Sequence, residues 1–440
     1  MSKKRAIFED VAADAPRATP AETGSIDRGR GGARKAIVVW LAVLFALVVL
    51  MVFVGGLTRL TDSGLSITEW APLSGAIPPL TAEDWAAEFE RYRQIPEYQL
   101  QNQGMTLGEF KFIYWWEWGH RQLGRVIGLV WALGFLWLLL TRSMPRGRDG
   151  LWIPIAGFAG FFALIGAEVA LRQGAITEQL VRSVEGYILL YMGAIVAVGA
   201  MAKSMDWTAK LLFLGLMGGL QGAIGWWMVS SGLDGSMLDV ASYRLATHLG
   251  LAFIILGFIT WYILLLLRPE RDLLQARRDG ERKLFGMSTG LLHLSFVQIL
   301  LGALVAGIDA GQYYSEWPLM GGQIFPPTAF DLEPLWRNFL ENEGLVQFIH
   351  RTVGYLVAIF GIVVWLRARR SPHRSTRFAF NAVLAMMVLQ TTIGILTVLY
   401  GASWQVAIVH QFGAVVFWVL ILRARFLAAY PKFESVRGTT

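Results

Sequence analysis

The chain contains no cysteine. Disulfide frameworks, thiolate metal sites and cysteine nucleophiles are therefore excluded. Charge is also scarce. Asp, Glu, Lys and Arg make up 16% of the 440 residues, against 55% hydrophobic, and the mean hydropathy is +0.48. Soluble domains carry about 25% charged residues, so this balance points to a polytopic membrane protein and away from a soluble enzyme. Histidine is rare, with six in all, which makes the position of each one informative.

What is present is a series of long apolar runs. Residues 36–54 hold no charge at all, and a membrane span needs ~20 such residues. The run follows a 35-residue basic head and precedes no obvious small-residue cleavage site, so it reads as a retained helix rather than a signal peptide. Ten spans are expected, at about 36–56, 121–141, 151–171, 185–203, 209–229, 246–267, 285–307, 350–367, 378–399 and 405–422. With the N-terminus inside, the inner segments carry 28 Lys and Arg and the outer ones about 8. The positive-inside rule then gives both termini in the cytoplasm. It also assigns the net charge of +7 to topology and not to nucleic acid.

The chain repeats. HRQLGRVIGLV at 120 resembles HRTVGYLVAIF at 350, LQGAIGWWMVSSG at 220 resembles LQTTIGILTVLYG at 389, and RLATHLGLAFIILG at 244 resembles QVAIVHQFGAVVFW at 405. Each half orders a His-Arg helix, a Gln-x-x-x-Gly helix and a helix with an early histidine. Both halves begin by crossing outward, which makes this a parallel repeat. His120 to Gln221 spans 101 residues and His350 to Gln390 spans 40, so the first half has room for two additional helices. The expected fold is all-α: two parallel-repeat four-helix bundles with an inserted hairpin in the first. The expected divisions are a basic cytoplasmic head (1–35), a first half (36–267) with the insert at about 148–208, a basic linker (268–284), a second half (285–425) and a tail (426–440). The long outer loops, about 57–119 and 308–349, have the aromatics and prolines of interfacial caps.

Four histidines, His120, His248, His350 and His410, occupy the repeat, each near the outer end of its helix. Two imidazoles facing across a bundle can hold a haem iron axially, which gives candidate pairs His120/His248 and His350/His410. The bland reading is four hydrogen-bonded packing histidines; their repeat-equivalent placement argues against it. Zinc is a weaker rival, because nothing in the second half completes a tetrahedral set. His293 reads as a packing residue and His373 as solvated. Arg121, Arg125 and Arg351 lie beside the candidate ligands, either as partners for haem propionates or as snorkelling cations.

Glu117 lies one helical turn before His120, and the repeat-equivalent residue is Gln347. A carboxylate can take a proton, orient water or stabilise developing positive charge; an amide only hydrogen-bonds. That difference assigns chemistry to the first half. The competing reading of Glu117 is a plain i,i+4 ion pair with Arg121. Trp115, Trp116 and Trp118 could serve as ring contacts or as an interfacial belt.

GGLTRLTDSGLSITEWAPLSGAIPPL at 55–80, EFKFIYWWEWGHRQLGR at 109–125, QGAIGWWMVSSGL at 221–233 and YRLATHLG at 243–250 resemble the haem A synthase family, mitochondrial and proteobacterial type. The resemblance covers most of residues 36–425. It implies oxidation of the ring methyl of haem O to the formyl of haem A, with His120, His248, His350 and His410 as iron ligands and Glu117 as the reactive glutamate. It also implies a substrate haem in the first half, haem b in the second, and residence in a bacterial inner membrane with the haem sites towards the periplasm. A haem O synthase (a farnesyltransferase) and oxidase assembly factors are the implied partners, and a homo-oligomer is possible. The electron acceptor is not implied. Two features depart from the family pattern: the lack of the external cysteine pair of some bacterial members, and the insert. The insert's Glu168, Arg172, Glu178, Arg182 and Glu185 read as a membrane-edge ion-pair set or a partner surface. The rival functions are a bis-histidine electron-transfer cytochrome and a transporter.

Overall fold

The computed structural model describes residues 33–69, 74–144, 148–233 and 238–432. The expected head and tail lie mostly outside them. The described residues form helices throughout and no named strand: α1 (Ala33–Leu60), α2 (Ala82–Arg93), α3 (Pro96–Leu100), α4 (Leu107–Leu140), α5 (Trp152–Arg172), α6 (Glu178–Met201), α7 (Trp207–Val229), α8 (Ser242–Leu266), α9 (Glu270–Ala276), α10 (Arg282–Gly307), α11 (Ala310–Tyr313), α12 (Asn338–Glu341), α13 (Glu343–Ala368), α14 (Arg374–Leu399) and α15 (Trp404–Ala429). Ten of them are long and apolar enough to cross a membrane.

One expected boundary moves in a way that matters. α4 starts at Leu107, not near residue 121. Thr106 and Glu109 close a capping box there, which holds the helix against fraying at its N-terminal end. At 1.5 Å per residue its 34 residues run about 51 Å, well beyond the ~30 Å of hydrocarbon. Glu117 and His120 therefore sit inside a continuous helix and not at its start.

The four helices of each half are α1, α4, α7 and α8, and α10, α13, α14 and α15. α8 packs on α10 and α15, and α1 packs on α15, which joins the halves. Between apolar helices in lipid, close fit and small residues replace the hydrophobic drive. Here the ring of Phe253 meets Trp418 edge-on with centroids 6.0 Å apart. Gly56 makes room for Gln411, whose amide donates to the Val52 carbonyl at 2.7 Å.

α5 and α6 form the hairpin expected from the length difference, and they pack on each other and on α7. Glycines set the fit: Gly157 takes the Leu216 side chain and Gly199 takes Phe213. The side chains of Arg172, Glu178 and Arg182 lie outside the described residues.

The loop between α1 and α4 folds over α4 as α2 and α3. Tyr92, Phe89 and Phe110 pack there as a buried aromatic cluster, with Thr81 and Asp84 capping α2. At the opposite end, Arg34 donates to carbonyls at the end of α8, groups a helix leaves without partners.

Candidate functional site

Each of the four repeat histidines faces a glycine on a neighbouring helix. A Cβ at Gly55 would stand 3.0 Å from His120 Nε2; at Gly225, 3.0 Å from His248 Cε1; at Gly302, 3.1 Å from His350 Cε1; and at Gly394, 2.9 Å from His410 Cε1. A Cβ would force something to shift at Gly394 and would crowd the ring by a few tenths of an ångström at the other three, so glycine lets each imidazole lie close against the helix.

Three of the histidines have a second fixture. Gln221 Nε2 donates to the His248 carbonyl at 3.0 Å and lies 3.2 Å from its Nδ1. Gln390 does the same for His410, at 2.7 and 3.2 Å. Gln298 does so for His350, at 3.0 and 3.2 Å, and also lies 3.3 Å from His350 Nε2. Each glutamine lies one turn before the glycine that faces the same ring, so one helix face supplies both. A hydrogen-bonding amide beside the ring fixes its orientation and tautomer. The fourth histidine has no such glutamine among the described residues. The position one turn before Gly55 is Met51, which lies over Gly124 as Gln298 lies over Gly354. The Gln221 and Gln390 motifs were legible in the sequence. The third copy, VQILLG at 297, carries the same signal and was missed, because α10 was compared with nothing in the first half.

His120 and His248 lie within electrostatic reach of each other, as do His350 and His410. All four line one continuous cavity of about 1380 Å³. That exceeds the ~300–1,000 Å³ of a single small-ligand pocket. The lining is largely apolar, and the Oε1 atoms of Gln221, Gln298 and Gln390 are buried there without a partner among the described residues. Among the described residues no group of three or more His, Cys, Asp or Glu is spaced to hold a bare metal ion. Two paired imidazoles with a large apolar volume suit a metal that brings its own equatorial ligands, as a porphyrin does, and not tetrahedral zinc.

Glu117 is 2% exposed and lines the cavity. Its Oε2 accepts from the Ser66 hydroxyl at 2.7 Å and the Ile67 N–H at 2.6 Å. Its Oε1 accepts from Arg121 Nε at 2.9 Å and Nη2 at 2.6 Å. The i,i+4 ion pair thus exists, yet it is buried and completed by a loop, unlike a surface pair. Arg121 also donates to the carbonyls of Ile67 and Glu69, so most of its donors are engaged within the protein. In the second half Gln347 donates to the Tyr314 carbonyl at 3.1 Å, and its Oε1 has no partner among the described residues. Arg351 donates to Tyr314 and Leu319 carbonyls. Arg125 donates to Gln122 at 2.7 Å. All three arginines line the cavity, whereas Trp115, Trp116 and Trp118 do not; Trp115 packs against Trp85 and Trp118.

Sequence reasoning missed Ser66 and Ile67, which reach Glu117 across 51 and 50 residues of chain. It also missed Glu97 on α3, which is 3% exposed and lines the same cavity. Glu97 Oε1 accepts from the Tyr92 hydroxyl at 3.1 Å and Asn102 at 3.2 Å, while Oε2 has no partner among the described residues. Burial pushes this carboxyl up to about 8; the Tyr92 bond lowers it, and Asp239, Asp62 and Glu117 raise it further. Arg59, at the end of α1, meets Asp309 at 2.8 Å, Asp62 at 3.0 Å and Asp239 at 3.6 Å, tying the two halves at the cavity mouth.

Residues 38–189 and 175–422 match a family model described as cytochrome oxidase assembly protein. The chain is 58% identical over 436 residues to a heme A synthase of Ruegeria sp. (strain TM1040), with 99% of both chains covered. It is 57% identical over 440 residues to that of Ruegeria pomeroyi, with full coverage of both. It is 51% identical over 436 residues to that of Paracoccus denitrificans, with 99% of both covered. With identity at this level along the whole length, and two histidine pairs on a shared apolar cavity, the chain belongs to the haem A synthase family.

Proposed function

We propose that this protein is a membrane oxidoreductase that converts haem O to haem A, with the first half holding the substrate and the second holding haem b. The observation that carries the assignment of halves is Glu117. It is a buried carboxylate held by four hydrogen bonds beside His120, and its repeat counterpart is the amide Gln347. The methionine that stands in place of a glutamine beside His120 supports the same assignment. A substrate site must release its product, and an unclamped histidine serves that need. A resident group gains from two clamped ones.

His120 and His248 would hold the iron of haem O, and His350 and His410 that of haem b. The haem b group supplies one-electron redox chemistry when bound. Arg125 and Arg351 are the candidates for haem propionates. Arg121, with its donors turned to Glu117 and the loop, acts chiefly to position Glu117. Conversion of the ring methyl to a formyl group is a four-electron oxidation that passes through an alcohol and adds one oxygen atom. Both oxygens of Glu117 accept two hydrogen bonds each, so towards a haem held by His120 the group would act as a fixed negative charge and not as a mobile proton carrier. Such preorganised charge stabilises positive charge that develops in the transition state.

The excess of Lys and Arg in the inner segments supports a bacterial inner-membrane location with the histidine end towards the periplasm. Haem O made by a farnesyltransferase is the incoming substrate, and haem A goes to oxidase assembly.

The test is to purify the protein from cells that make haem O, extract its haems and identify them by mass and pyridine spectrum. Haem b together with haem O or haem A is expected. Haem b alone would replace this reading with that of an electron-transfer cytochrome.

A further inference from the structure

The two halves share their histidines but not the depth of the cavity beneath them. On α4 the cavity lining runs from His120 down to Ala132, whereas on α13 it runs from His350 only to Val357. On α1 it extends from Gly55 to Leu44, while on α10 it runs from Gly302 only to Ser295. α7 and α14 differ in the same way: the lining reaches Leu214 below Gly225, but stops at Met387 below Gly394. On α8 it reaches Ile259 below His248, against Trp418 below His410 on α15. At 1.5 Å per residue, the first-half cavity descends about 16–18 Å below its ligand level and the second about 10–12 Å.

The cause is visible in the side chains. With Gln221 aligned to Gln390, Gly218 takes the place of Met387. Met387 packs into Gly361 and closes the second cavity. In the first half the large residue changes helix: Trp131, the counterpart of Gly361, lies on Gly215, held by a 3.0 Å hydrogen bond from its Nε1 to the Leu211 carbonyl. A Cβ at Gly218 or Gly222 would meet nothing within 4 Å, so both face open space in the cavity. The inserted hairpin supplies a further wall, Phe158 and Phe161 of α5; Phe161 lies against Gly219. Among the described residues the second half has no helix in that place.

We propose that this deep apolar extension, walled by the inserted hairpin, is the binding channel for the isoprenoid arm of the tailed porphyrin substrate. The proposal rests on the haem O reading above. Haem O and haem b differ chiefly in that arm. The half assigned to haem O has the added apolar depth, continuous with the histidine pair, and the half assigned to haem b is stopped by Met387. The hairpin thereby becomes a substrate-binding element instead of a peripheral addition.

The test uses full-length protein carrying its second-half haem, titrated in detergent with haem O and with tailless protohaem, and followed by the bis-histidine Soret band. Wild type should bind haem O at least tenfold more tightly than protohaem, and Gly218→Leu, which fills the channel with a side chain the size of Met387, should weaken haem O by about tenfold or more. Protohaem affinity should be the same in both proteins, which also reports that the variant is folded. Equal haem O affinity in wild type and Gly218→Leu overturns the channel, as does a parallel loss for both haems. Extracting the haems after turnover separates this from the functional reading. Tight, tail-dependent binding with no haem A formed would overturn the reaction and leave the channel; haem A formation with no tail preference would do the reverse.

Discussion

Replacing Glu117 by glutamine removes one charge and changes little volume. The structure sets the size of the effect. Glu117 accepts four hydrogen bonds, two of them from Arg121. A glutamine has one acceptor oxygen and one donor amide. If the oxygen stays with Ile67 N–H and Ser66, the amide faces the Arg121 guanidinium; if it turns to Arg121, the amide faces the Ile67 N–H. Either way one donor pair loses its partner. Bonds to charged groups contribute about 1.5–3 kcal/mol each, and breaking a buried pair costs about 3–5 kcal/mol. The Arg121 side chain is 19% exposed and keeps the carbonyls of Ile67 and Glu69, so the expected destabilisation is at the lower end, about 2–3 kcal/mol. Ser66 also keeps its contact with the Ser63 carbonyl at 3.1 Å, so the loop stays in place and both haems should remain bound. Haem A formation should fall about 10²–10³-fold, the effect of removing one preorganised electrostatic contact. Three readouts check this: haem stoichiometry by pyridine spectrum, haem A per turnover by chromatography of extracted haems, and thermal melting in detergent. A Glu117→Gln protein with both haems bound and a rate within about threefold of wild type would refute the electrostatic role. Loss of the first-half haem would show instead that the carboxylate is structural. Arg121→Gln should retain part of the activity, because Ser66 and Ile67 still hold the charge in place.

Two further predictions concern the histidine clamps and the buried loop carboxyl Glu97. Met51→Gln supplies His120 with the amide the other three histidines have, so transfer of the first-half haem to apomyoglobin should slow several-fold; Gln390→Leu should accelerate loss of the second-half haem, and unchanged transfer rates in both would dismiss the clamp. Glu97 lies outside the spans with its pKa raised to about 8 by burial. The folded state therefore binds a proton that the unfolded chain releases near 4.5, and the stability this contributes is present below that pH and is lost as pH rises towards about 8. Protection of the α2–α3 loop against hydrogen exchange, corrected for the intrinsic pH dependence of amide exchange, should fall over that window in wild type and stay flat in Glu97→Gln; the same slope in both would exclude Glu97 as its source.

Much of this protein is written in one dimension. The ten spans follow from long apolar runs, and the inserted hairpin from a difference in spacing between repeated motifs. The histidines announce themselves because a polar ring in a sparse background must have a partner. The Glu117/Gln347 contrast is visible because the repeat holds everything around it fixed. The residues around these positions were less legible. The true start of α4 lies upstream of residue 121, since a capping box can extend a helix beyond the membrane where hydropathy has no signal. Gln298 and Met51 belong to helices that lead their halves, and they become comparable only when the bundle sets α1 and α10 in equivalent places.

The tertiary structure decided what each polar group meets. The sequence determined that Glu117 and Arg121 share a helix face, because helical spacing is local. Whether that pair lies in water or is buried beneath Ser66 and Ile67 depends on a loop far away in the chain. Cavity depth is likewise a property of packing: Gly218 and Met387 are legible as residues, but an open channel or a filled one exists only once four helices and a hairpin close around them.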